Sequence, residues 1–147
     1  MTHALSKATV DSWIALNRAQ RATFDRMQEA LKAEGFPALE WYDVLLELWR
    51  APERRLRQSE IQRRTLFAQY NVSRLIDRLE GAGLVRREPC PEDARARTVG
   101  ITDEGLRLRE AMWVPYSAAI SKYVGAKLTE AEAAALAGLL TKLDGRP

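Results

Sequence analysis

The side chains best suited to chemistry in this 147-residue chain are Gln69, Tyr70, Asn71, Ser73, Arg74 and Arg78. They surround Val72, Leu75, Ile76 and Leu79, whose i, i+3, i+4, i+7 spacing predicts the buried face of a helix over about 69–82. The polar residues then occupy the outward faces. Asparagine and glutamine can each pair bidentately with adenine, and arginine with guanine or a phosphate. A plainer reading stands beside this one. Gln69 and Asn71 would be ordinary helix-start residues, and Arg74 and Arg78 would pair on the surface with Asp77 or Glu80. Arg95 and Arg97 form a second basic set, in a polar loop at about 89–97, where a narrow minor groove would attract an inserted arginine.

The elements that must position these residues are legible from spacing and punctuation. Gly81 and Gly83 end the helix, because glycine readily takes the left-handed turn of a helix stop. The short runs LVRRE (84–88) and RTVGI (97–101) flank the polar loop with its two prolines, which predicts a hairpin. Ser59 and Gln62 fit a capping box for a preceding helix at about 58–65, so the stretch reads as helix, turn, helix and hairpin wing. Upstream, Val10, Trp13, Ile14, Phe24, Met27 and Leu31 predict a long helix over 9–34 that stops at Gly35. Residues 39–50 are apolar on more than one face, as in a helix packed between others, and Ala51-Pro52 ends it. Downstream, Thr102 with Asp103 and Glu104 caps a helix that contains Pro115, where a kink is expected. Thr129 and Glu132 form a capping box for a last helix with Leu136, Leu139, Leu140 and Leu143 on one face.

The charge pattern singles out the same stretch. The whole chain carries a net charge of +3. Residues 50–97 hold 12 Arg, no Lys and 7 acids, a net of +5, whereas the remainder sums to −2. A basic concentration of this kind is the footprint of a polyanionic partner, or simply a solvated arginine-rich surface.

Enzymatic chemistry is not expected. His3 is the one histidine, no metal-ligand cluster is legible, and no glycine-rich phosphate loop appears, so no catalytic residue, metal or cofactor is implied. One cysteine offers no disulfide framework. The opening MTHALSKATVDSW lacks the apolar region of a signal peptide, and no apolar run reaches the ~20 residues of a membrane span. A cytoplasmic protein with no membrane partner is expected.

VSRLIDRLEGAGLVRRE followed by PEDARARTVGITDEG resembles the MarR (multiple antibiotic resistance regulator) family of winged helix-turn-helix transcription factors. The matching positions are Ser73, Arg74, Leu75, Asp77, Arg78, Leu79, Glu80, Gly83, Leu84, Val85 and Arg87, then Asp93, Arg95, Val99, Thr102 and Gly105. Ile101 replaces the usual leucine.

The resemblance implies a mainly α fold: a winged helix-turn-helix with a small β-hairpin wing, flanked by N- and C-terminal helices forming an intertwined dimerisation region. Residues 39–101 would be the DNA-binding part of a single 1–147 unit, and 1–36 and 102–147 the dimerisation helices. The protein would be a homodimer, a repressor in many members, reading a pseudo-palindromic operator in double-stranded DNA. Arg95 maps onto the wing arginine of the family, and Asp93 onto the acid that braces the wing. Many members respond to a small aromatic or phenolic ligand, for which Trp13, Trp41, Tyr42, Trp113 and Tyr116 are the candidate pocket. Aromatic residues at helical spacing are also ordinary core. Cys90, between two prolines in an exposed wing, would be open to oxidation, although the family's sensing cysteines lie in the first helix.

The turn departs from the family pattern. Arg57 stands where a Ser or Thr cap is usual, Gln62 where a small residue is, and Leu66 where glycine is. A leucine in a left-handed position is costly unless the backbone differs there. This departure keeps a second reading open, a winged-helix protein-interaction adaptor that binds no operator.

Overall fold

The computed structural model describes residues 4–66, 71–90 and 92–145, with only the backbone of Ala94 included. The elements in order are helix α1 (Lys7–Ala33), helix α2 (Leu39–Arg50), strand β1 (Arg55–Arg57), helix α3 (Gln58–Arg64), helix α4 (Val72–Gly81), strands β2 (Val85–Cys90) and β3 (Asp93–Ile101), helix α5 (Asp103–Tyr123) and helix α6 (Glu130–Asp144). Short 3-10 turns occupy Pro52–Arg54 and Gly125–Lys127. The described chain is therefore mainly α with one small sheet, the architecture of a winged helix. Among the described residues no helix is long and apolar enough to cross a membrane.

Two compact units can be distinguished, Leu31–Pro115 and the terminal segments outside it. The first unit contains one hydrophobic core. Val44, Leu45 and Leu48 of α2, Ile61 of α3, and Val72, Leu75, Ile76 and Leu79 of α4 close against Leu56, Leu84, Val85 and Val99. The apolar face expected on the helix after the turn is thus the face that is buried. The terminal unit leaves apolar side chains uncovered, with Leu136, Leu139, Leu140 and Leu143 of α6 between 36% and 69% exposed.

The sheet has the order β1-β3-β2 with both pairings antiparallel. The hairpin was expected, but β1 was not. Three residues, Arg-Leu-Arg, give too short a run to stand out in sequence. Leu56 becomes a strand residue by pairing with Val99 and burying its side chain. This extra strand also moves the start of the next helix. Arg57 still pairs with Thr98, so α3 begins at Gln58 and Ser59 already lies in its first turn rather than capping it. The carboxylate of Glu60 accepts the Arg57 amide at 3.3 Å, the reverse half of a capping box.

Helix ends follow the glycines. Gly35 (φ 77°) closes α1, with the Phe36 amide on the Leu31 carbonyl at 3.0 Å. Gly83 (φ 77°) closes α4, with the Leu84 amide on the Leu79 carbonyl at 2.9 Å. Thr102 caps α5 as expected: its hydroxyl accepts the Gly105 amide at 3.1 Å and donates to the Gly83 carbonyl at 2.7 Å. That hydroxyl ties the end of α4 to the start of α5. Pro115 lies inside α5.

Candidate nucleic-acid interface

The helix after the turn is shorter than the expected 69–82. It starts at Val72, because Asn71 is its N-cap and accepts the Arg74 amide on Oδ1 at 3.1 Å. Gln69 and Tyr70 lie outside the described residues. Asn71 thus fills the helix-start role that its residue type suggested, and its Nδ2 has no partner among the described residues.

Two polar stripes run along the exposed side of α4. Asn71, Arg74 and Arg78 form one, and Ser73, Asp77 and Glu80 the other. The second stripe is tied down by Arg87 of β2. The Arg87 guanidinium bonds to the Asp77 carboxylate, donates to the Ser73 carbonyl at 3.2 Å and lies 3.6 Å from Glu80. The Arg87 amide also donates to Glu80 at 2.9 Å. Asp77 and Glu80 therefore pair across to the sheet, not with Arg74 or Arg78 as the plainer reading had it. Arg74 and Arg78 are exposed and make no ion pair among the described residues. Sequence reasoning placed Arg87 in a motif but gave it no task; the alternation Arg86-Arg87 on a strand, one side chain to each face, was the available signal.

The wing is a hairpin with a tight end rather than a long loop. β2 runs to Cys90 and β3 begins at Asp93, with an irregularity at Pro89/Cys90. Arg95 and Arg97 consequently sit within β3, two residues apart on one face and both exposed. Neither makes an ion pair among the described residues, and Arg86 of β2 is likewise exposed and unpaired. Asp93 accepts the backbone amide of Arg95 at 3.0 Å, bracing the strand start through the main chain instead of through an arginine side chain. The sheet's own charge pairs are Arg55–Glu88 at 3.2 Å and Arg57–Glu92 at 3.6 Å.

Cys90 departs from expectation. It is buried, with the Arg57 guanidinium 3.6 Å from its sulfur, because the strand continues to this residue and turns its side chain inward. The exposure on which oxidation would depend is lacking. Leu66 departs from expectation too. The non-glycine residues with positive φ among the described ones are Glu53 and Arg54, so Leu66 avoids the left-handed strain. Its amide donates to the buried carboxylate of Asp43 at 2.7 Å, a contact the sequence analysis missed. Its position between Tyr42 and Val44-Leu45, all on the buried side of α2, is what sets Asp43 apart from Glu40 and Glu47.

The aromatic candidates divide. Trp41 packs against the hydrophobic core, the ordinary role of such a residue. Tyr42 is buried, and its ring stacks on Trp113 with centroids 6.1 Å apart. Burial raises the Tyr42 phenol above its usual pKa, while Arg109 and Arg50 act in the opposite direction. Arg109 also lies over the ring of Trp49 at 4.1 Å. Trp13 and Tyr116 belong to the terminal unit, where Trp13 is exposed.

Comparison with known proteins places this geometry. The sequence model of the MarR family matches residues 34–96. The HTH-type transcriptional regulator PrsX of Escherichia coli is 36% identical over 89 residues, 60% of this chain and 53% of PrsX. The chain thus spans about half the length of PrsX. MhqR of Bacillus subtilis, also an HTH-type transcriptional regulator, is 26% identical over 120 residues, 82% of this chain and 81% of MhqR. Among solved structures, the MarR family regulator Sco3205 of Streptomyces coelicolor, determined in complex with DNA, superposes with a TM-score of 0.83 and 27% identity, covering 97% of this chain and 89% of that one. In the winged helix, the motif residues and these likenesses alike, the chain is similar to the MarR family regulators, with the family pattern itself matched over residues 34–96.

Proposed function

We propose that this protein is a sequence-specific DNA-binding transcriptional regulator, a homodimer that represses from a pseudo-palindromic operator. The observation that carries this is the division of charge on the winged helix. Asp77 and Glu80 are occupied by Arg87, while Arg74, Arg78, Arg86, Arg95 and Arg97 are exposed without an acidic partner among the described residues. Unpaired arginines on one small unit are what phosphate neutralisation requires. The α4 helix enters the major groove with Asn71, Ser73, Arg74 and Arg78, together with Gln69 and Tyr70 just before it. The wing carries Arg95 and Arg97 to the minor groove. That Sco3205 was determined in complex with DNA supports DNA as the partner.

The uncovered leucines of α6 support the dimer, since a leucine stripe at i, i+3, i+4, i+7 needs a partner surface. Release by a small aromatic ligand completes the proposal. It rests on the family resemblance and on the Tyr42–Trp113 stack, whose outer ring, Trp113, is 44% exposed. A ligand acts only through its different affinity for the DNA-binding and non-binding states.

The experiment is selection from random duplex DNA, followed by a salt titration on the winning site. The expected result is an inverted repeat with half-sites about 34–36 Å apart. The logarithm of affinity should fall linearly with log salt, by about 0.9 per phosphate neutralised. A folded dimer that enriches no sequence at low salt would overturn this function and favour the adaptor reading.

A further inference from the structure

We infer that Arg87 is a positioning residue that sets the charge of the DNA-reading face, an inference that rests on the proposed DNA binding. Its guanidinium spans acceptors from Ser73 to Glu80, two turns of α4, and it is only 21% exposed. A planar five-donor fork can hold a carbonyl and two carboxylates at once, which a lysine point charge cannot.

The consequence is electrostatic as well as mechanical. Asp77 and Glu80 are exposed residues on the helix that also carries Arg74 and Arg78. Left alone, each carboxylate would repel a nearby phosphate, and Asp77 would draw Arg74, three residues away, into a local pair. Arg87 removes both penalties from the side, without itself taking a place in the Asn71–Arg74–Arg78 stripe. The adjacent Arg86 alternates to the other face of the strand and remains unpaired, so the two neighbouring arginines have different tasks. Because Arg87 sits on β2, the same contacts fix the wing against the helix.

The test separates charge compensation from simple packing. Wild type, R87A, R87K and the triple variant R87A/D77N/E80Q are titrated on the selected operator at low and at high salt, with folding checked by thermal melting. R87A should weaken binding by about tenfold or more at low salt, and the loss should shrink as salt screens the exposed carboxylates. The triple variant lacks every contact of the guanidinium, yet it should recover most of the affinity because the repelling charges are gone. R87K should fall between wild type and R87A. If R87A is too unstable to purify, Arg87→Gln goes through the same comparison and the same rescue. A triple variant as weak as the single one, with a salt-independent loss, overturns the inference, as does an R87A protein that binds like wild type. Wild type that binds no DNA would instead overturn the proposed function, and this inference with it.

Discussion

The carboxylate of Asp43, 1% exposed in α2, accepts the backbone amide of Leu66 at 2.7 Å, just past the end of α3. One buried side chain thus holds the start of the turn that leads to α4. A hydrogen bond to a charged group is worth about 1.5–3 kcal/mol, and leaving the amide unpaired adds to the loss. D43A should lower unfolding stability by that order in a urea titration, while D43N, which keeps an acceptor oxygen, should lose less. An unchanged D43A midpoint would show that the turn does not depend on this bond.

Gly105 makes a sharper structural prediction. A Cβ built there would lie 2.2 Å from the Leu84 carbonyl oxygen and 2.7 Å from Cγ1 of Ile101. The carbonyl cannot step aside without breaking its bond to the Thr102 amide at 3.0 Å. Overpacking of this kind costs about 1–3 kcal/mol, and G105A should show at least that. Gly81 is the control: nothing lies within 4 Å of its added Cβ, and it sits in α4. G81A should be neutral or stabilising by about 0.4–1 kcal/mol, chiefly by reducing the freedom of the unfolded chain. Equal effects of the two changes in thermal melts would contradict this account.

How far the sequence was legible follows from what each feature depends on. The α4 core face was readable because Val72, Leu75, Ile76 and Leu79 repeat at helical spacing, and helix ends were readable from Gly35, Gly83 and Thr102. Strand β1 was not, because three residues carry no periodicity and Leu56 joins the sheet only through its tertiary partner Val99. Among the candidate site residues, Arg95 and Arg97 were correctly singled out as exposed arginines but placed in a loop. A pattern of two prolines and mixed charge does not reveal that β3 starts as early as Asp93. The Arg87 clamp stayed hidden because its partners lie 7 to 14 residues away, and which acid an arginine chooses is a matter of three-dimensional distance.

Asn71 joins two tasks that a pair of substitutions can separate. Its Oδ1 caps α4 by accepting the Arg74 amide, and in the proposed complex its Nδ2 would donate to a base edge or phosphate. N71A should lose the cap, about 1 kcal/mol of stability. N71S should keep the cap and its stability, yet lose the amide donor. With Oδ1 committed, the discrimination lost in N71S should fall below the about 1–3 kcal/mol of a bidentate adenine pair. An N71S protein with wild-type affinity for every operator variant would remove Asn71 from the reading set and leave it a cap.

Tyr42 predicts an alkaline limit. Its folded pKa is raised above the ordinary 10.0, first by burial, with Arg109 and Arg50 partly offsetting this. A raised folded pKa means that the neutral phenol is favoured in the native state. Its contribution to stability is then fully present below pH 10.0 and is lost as pH rises through the folded value. The melting temperature of wild type should therefore fall more steeply above that pH than that of Y42F, because other tyrosines and lysines titrate in both. Parallel curves would show that the Tyr42 ionisation is not coupled to folding.

The leucines of α6 carry the last prediction. Leu139 and Leu143 are 59% and 69% exposed, with Leu136 and Leu140 beside them on the same helical face. Fully burying one such side chain against a partner is worth about 1.5–3 kcal/mol, so four of them would make a substantial share of the proposed subunit interface. A glutamate on that face must be desolvated without a partner if the interface is to form. L139E and L143E should therefore sediment as monomers at concentrations where the wild type is a dimer. A monomer offers one half-site reader instead of two, so operator affinity should fall far more than affinity for a single half-site. Dimeric L139E and L143E proteins with intact operator binding would mean that this face is not where the subunits meet. A monomeric wild type would reject the dimer itself.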